Sequence, residues 1–110
     1  MTTTIEVPKE GFVSVQQYRN QPVYFFRFDC QETENETILC KETTFTLKSI
    51  SYENMVSAMI AIKYNIDAQL ALLYNYQSDS ETYAEDMASY QQWRSYCKEG
   101  AQDFFGINEY

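Results

Sequence analysis

Ser51-Tyr52-Glu53-Asn54-Met55-Val56-Ser57-Ala58-Met59-Ile60-Ala61-Ile62-Lys63-Tyr64-Asn65-Ile66-Asp67-Ala68-Gln69-Leu70-Ala71-Leu72-Leu73-Tyr74 is the stretch at which the chain changes character. Met55, Val56, Met59, Ile60 and Ile62 recur mainly at three- and four-residue steps, the spacing that puts side chains on one face of a helix. A helix over about Tyr52 to Lys63 is therefore expected. Ser51 is placed to accept from the first-turn N–H groups, and Glu53 sits where the helix dipole favours an anion. Lys63-Tyr64-Asn65 reads as a stop, with Asn65 the residue that tolerates a left-handed turn. A second helix is expected to open near Asp67, its core face made of Ile66, Leu70, Leu73 and Tyr74 and widened by Leu72 and Tyr76.

Gln77-Ser78-Asp79-Ser80 interrupts the apolar pattern, and Ser78 with Glu81 has the spacing of a capping box for a third helix. Tyr83, Met87, Tyr90, Cys97 and Ala101 form its apolar side, with Trp93 beside them. Its acids come early (Asp79, Glu81, Glu85, Asp86) and its bases late (Arg94, Lys98), the order a helix dipole prefers. The short connection makes the last two helices an antiparallel hairpin. Gly100 and Gly106 mark where the third helix weakens and ends.

Before Ser51 the pattern is that of strands. Thr2 to Val7 is β-branched, Pro8-Lys9-Glu10-Gly11 is a turn, and Phe12 to Val15 begins a second extended segment. From Val23 to Gln31 the alternation sets Tyr24, Phe26, Phe28 and Cys30 on one face, the better candidate for the core. Thr37 to Lys48 returns as a hairpin arm after an acidic loop. Its phase slips between Ile38/Cys40 and Phe45/Leu47, which a bulge near Glu42-Thr43 would reconcile. A lone hairpin is not stable in water, so helices must cover it. The expected fold is α+β: one domain over residues 1–110, β-rich to residue 50 and helical from residue 51, with a small N-terminal antiparallel sheet followed by three helices.

Composition narrows the chemistry. The 110 residues carry a net charge of −8, with five basic against seven acidic side chains in residues 1–50 and three against nine in residues 51–110. The helical half is thus the acidic half, which opposes contact with nucleic-acid backbones. No apolar run approaches a membrane span, and Met1 to Glu6 lacks the basic start and apolar core of a signal peptide. A cytoplasmic protein with no membrane contact is expected, and the sequon Asn35-Glu36-Thr37 is then not used. His is absent, as are a phosphate-binding Gly loop and a nucleophile elbow. Cys30, Cys40 and Cys97 lack CxxC spacing and read as free thiols, although Cys30 and Cys40 can face each other across the hairpin. Asp67, Asp79, Glu81, Glu85 and Asp86 lack the spacing and Gly of an EF-hand loop. No enzyme, no cofactor and no metal is the expectation.

Aromatic residues are the surplus: ten Tyr, seven Phe and one Trp make 16% of the chain. Tyr and Trp supply rigid amphipathic contact area. Tyr74, Tyr76, Tyr83, Tyr90, Trp93 and Tyr96 are the candidate partner-binding residues.

The run Ser51 to Ile60, followed by Lys63-Tyr64-Asn65-Ile66-Asp67-Ala68-Gln69-Leu70-Ala71-Leu72-Leu73, resembles helical segments of tail-fibre and tail-assembly proteins of bacteriophages and prophages. In those proteins a K-Y-S-x-x-x-E-x-A-L-L element leads into an acidic helix with spaced Tyr and a late Cys-Lys. Glu81, Tyr83, Tyr90, Trp93 and Cys97-Lys98 match that helix. The likeness covers the C-terminal half alone, and Gln69 stands where Glu is usual. It implies a non-enzymatic structural or assembly component, in the host cytoplasm or the virion, whose partners are phage structural proteins or further copies of itself. Size and acidity also suit a second class, a small inhibitor of a host defence or nucleic-acid-binding protein. A carboxylate-based hydrolase is a third, and needs two close acids in a cleft.

Overall fold

The computed structural model describes residues 1–106. Four strands are followed by three helices: β1 (Thr3–Pro8), β2 (Val15–Gln17), β3 (Val23–Glu32), β4 (Thr37–Thr46), α1 (Tyr52–Ile60), α2 (Ile66–Ser78) and α3 (Ala84–Phe105). The strands form one antiparallel sheet in the order β1-β4-β3-β2, with the long β3–β4 hairpin at its centre. The fold is α+β, as the switch in periodicity at Ser51 implies.

Residues paired directly across a ladder share a face. Tyr24 with Phe45 and Phe26 with Thr43 and Val15 therefore make the face that carries the helices. Phe26, Met55, Met59 and Cys97 are fully buried there, and Trp93 packs against both Phe26 and Phe28. The phase slip in β4 has a different cause from the expected bulge at Glu42-Thr43. The register is continuous through those residues, and the irregularity lies in β3, between Phe28 and Gln31. β4 instead buries opposite faces along its length: Ile38 and Cys40 pair with Val7 and Ile5 of β1, whereas Thr43, Phe45 and Leu47 turn toward the helices. The bulge also takes Cys30 out of the core face, leaving it exposed. Asp29, at φ 52, is left-handed.

Ser51 caps α1, its hydroxyl accepting from Asn54 N at 3.0 Å. The helix ends at Ile60 rather than Lys63, because the chain tightens into three-residue turns in which Ile62 N donates to Met59 O and Lys63 N to Ile60 O. Lys63 then serves a tertiary role: its ammonium meets Asp29 at 2.9 Å and lies 4.4 Å from the Trp93 ring centroid. Asn65 is extended, not left-handed, and caps α2 by accepting from Ala68 N at 2.8 Å. The expected capping box of Ser78 and Glu81 does not form. Ser78 is still helical, and Asp79 instead closes the turn between the helices, accepting from Thr82 N and from the Thr82 hydroxyl at 2.6 Å, while α3 opens at Tyr83 with no side-chain cap.

Gly100 does not weaken α3. It sits buried in mid-helix, where a Cβ would lie 2.8 Å from Ser14 Oγ and 3.2 Å from Met59 Cε, so its bareness lets α3 approach the start of β2. Gly106, at φ 69, ends the helix in the left-handed conformation expected of it.

Candidate protein-contact surface

The expected core face of α2 is not in the core. Ile66 is 67% exposed, Leu70 60%, Leu73 45% and Tyr74 71%, and no residue of α2 is buried. The helix rests on the rest of the molecule through its other side, where Gln69, Leu72 and Asn75 are half-buried. Leu72 packs against the core cluster. Gln69 supplies the polar anchor: its amide nitrogen donates to Tyr64 O at 2.9 Å, and its Oε1 accepts from the Tyr90 hydroxyl at 2.6 Å. The physical reason is coverage. α1 and α3 already occupy the helical face of the sheet with Met55, Met59, Tyr90, Trp93, Cys97 and Ala101, so α2 has only a flank of α3 to pack on.

Complete burial of one Leu-sized side chain is worth about 1.5–3 kcal/mol, so four such groups on one exposed stripe forgo several kcal/mol of stability. Single exposed apolar residues are ordinary, whereas a contiguous stripe marks a contact surface. Ile66, Leu70 and Leu73 follow steps of four and three residues, and Gln77 continues the step of four, the spacing of a seam between paired helices.

The six aromatic candidates separate in the fold. Tyr90 and Trp93 are core residues: the buried Trp93 indole N–H is satisfied by donating to Ile60 O at 3.1 Å, a carbonyl that also accepts from Lys63 N and Tyr64 N, and the Tyr90 ring meets Tyr64 edge-on. Neither reaches solvent as a partner surface. Tyr96 is half-buried against Phe26 and Trp93, and its hydroxyl donates to Arg27 O at 2.6 Å, on β3 beyond the end of the β2 pairing. Tyr83 is half-buried at the start of α3. Tyr74 and Tyr76 alone of the six are exposed, and Tyr74 belongs to the α2 stripe. A strong helical stripe in a small domain is usually interior, which is why Ile66, Leu70 and Leu73 look like core positions in the sequence. The signal that could have reassigned them is the charge around them.

That charge is one-sided. Between Lys63 and Arg94 there is no basic residue, and Asp67, Asp79, Glu81, Glu85 and Asp86 in that interval are all exposed. α2 has no base in its last turn, so the negative end of its dipole is uncompensated, and Asp79 adds a carboxylate there. Hydrogen bonds from Thr82 hold the Asp79 carboxyl below its ordinary value, so it is charged at neutral pH.

Elsewhere the surface offers less. A cavity of about 240 Å³ lies between the segment Phe12 to Val15 and α3, with Glu99 and Asp103 on its rim. A second opening lies beside Lys63, whose ammonium on its wall is already engaged with Asp29 and the Trp93 ring. Burial raises Asp29 there, but the hydrogen bonds and charges of Lys63 and Lys41 outweigh it and hold the carboxyl below its usual value. Among the described residues no three of Asp, Glu and Cys come together as a metal-binding group, and no helix is long and apolar enough to cross a membrane. Compared with known proteins, the chain matches no family model, no curated protein and no solved structure.

Proposed function

We propose that this chain is a non-enzymatic protein-contact component, and that it acts through the outward face of α2. The supporting observation is the stripe of Ile66, Leu70, Leu73 and Tyr74, four large apolar side chains exposed along one helix that is itself firmly held by Gln69 and Leu72. A rigid scaffold that presents a greasy helix face is suited to assembly, where a partner supplies the missing layer. The resemblance of this same segment to tail-fibre and tail-assembly proteins gives the setting: a small part or adaptor of a phage virion or of its assembly.

The test is photo-crosslinking in the cell that makes the protein, with a benzoylphenylalanine at position 70 and control positions at Glu10 and Lys48. A discrete adduct with a virion or tail protein at position 70 alone is the expected result. Equal labelling at all positions would overturn the reading. A second reading, an acidic inhibitor of a basic host protein, is favoured by the exposed acids from Asp79 to Asp86. Under it the adduct is a nucleic-acid-binding protein, and the contact centres on α3's first turn.

A further inference from the structure

We infer that the occupant of the α2 stripe is a cationic amphipathic α-helix of another protein, and not a second copy of this chain. The inference deepens the proposed function and rests on α2 being the contact surface. Two features of the stripe select the occupant.

The first is spacing. Ile66, Leu70 and Leu73 advance by four and then three residues, and Gln77 extends the series by four. Side chains so placed interdigitate with a partner helix that carries the same alternation, because both then keep one seam facing the other. At 1.5 Å per residue the seam from Ile66 to Gln77 is roughly 16 Å long, enough for about three turns of a partner. A strand repeats its side chains on one face at a uniform step of about 6.7 Å, which falls out of register with the alternating steps of about 6 and 4.5 Å along this seam.

The second is charge. The arm from Tyr64 to Trp93 holds five carboxylates and no base. Asp67 lies beside the seam, while Asp79, Glu81, Glu85 and Asp86 lie beyond its C-terminal end, where the dipole of α2 is also negative and unopposed. Two copies meeting stripe to stripe would add five carboxylates to five with no base from either arm, and side by side in parallel they would set the two C-terminal acid clusters against each other. A helix with Lys or Arg flanking its apolar seam neutralises that field, and its cations belong near the turn between α2 and α3.

The probe is a synthetic helix of about 20 residues with a Leu/Ile seam at four-three spacing and Lys/Arg flanks, set against a second peptide with the same seam and Glu flanks. Binding is read by fluorescence anisotropy at 50 and 300 mM salt, with the full chain and with its Leu70→Glu/Leu73→Glu variant. The cationic peptide should bind the full chain, lose affinity as salt rises, and bind at least about tenfold more tightly than the acidic one. The variant should lose at least about tenfold although it is more negative, since a purely electrostatic attraction would strengthen. Equal or tighter binding to the variant would overturn the inference, as would equal binding of both peptides or of neither. Sedimentation separates this inference from the reading beneath it. A homodimer that the variant abolishes would defeat the cationic partner while keeping α2 as the contact surface. Absence of peptide binding and of dimers, together with an unlocalised crosslink at position 70, would defeat both.

Discussion

Single side chains in this protein do their work by where burial sets them. Cys97 on α3 and Cys40 on β4 are fully buried, whereas the bulge in β3 leaves Cys30 in solvent. Burial pushes the Cys97 thiol from 9.0 up to about 12, against the weaker opposing charge of Lys63. Burial, reinforced by the neighbouring Cys30, pushes Cys40 from 9.0 up to about 11. Both acids hold their protons in the folded state at pH values where the unfolded chain has lost them. Their contribution to stability is therefore complete below about pH 9 and is lost as pH rises toward 11 and 12. Urea unfolding at stepped pH should show stability falling above pH 9, with a shallower fall in Cys97→Ala. At neutral pH a thiol reagent should label Cys30 alone in the native protein and all three cysteines after unfolding. Labelling of Cys97 in the native protein would contradict its burial.

Among the elements, α2 shows how a local pattern and its tertiary fate part company. The helices, their order and the β-rich first half were legible because the periodicities are clean: Met55, Val56, Met59 and Ile60 at helical steps, and Tyr24, Phe26 and Phe28 at strand steps, are all buried as expected. The Ser51 cap was legible for the same local reason. What was not legible depended on competition between elements. Ile66, Leu70, Leu73 and Tyr74 outrank the side of α2 that does pack, because nothing in a single helix tells that α1 and α3 have already filled the sheet. Tyr90 and Trp93 suffered the opposite error, since an aromatic surplus does not say which rings close the core. Gln69, noted only as a departure from Glu, turns out to hold α2 in place by donating to Tyr64 O and accepting from Tyr90. Gln69→Glu should accordingly lose the donor and set a half-buried carboxylate against a carbonyl oxygen, lowering stability by about 1–3 kcal/mol at pH 7. That carboxyl would titrate above its unfolded value in the fold, so the loss should shrink as pH falls below 5. Chemical denaturation at pH 7 and pH 4 checks both, and an equal loss at the two pH values would contradict the assigned bond.

At the scale of the whole molecule, the sheet with α1 and α3 makes a closed core, and α2 is carried on its flank as a presented surface. Arg27 shows how tightly the closed part is tied: it donates to Glu42 at 2.9 Å, to Val13 O and to Gln16 Oε1, joining β3 to β4, to β2 and to the segment before it. Against that frame the exposed stripe is not slack in the fold but a face that the fold leaves open. If it is surface, its apolar side chains are dispensable for stability; if it is core, they are not. Leu and Gln have similar helix propensities, so a Leu70→Gln/Leu73→Gln variant changes polarity with little effect on α2 itself. The direct measurement is the free energy of unfolding of this variant in urea at 0.15 M salt. A change within about 1 kcal/mol of the parent is expected for surface positions. A loss of about 4 kcal/mol or more, the cost of emptying two core sites, would contradict it.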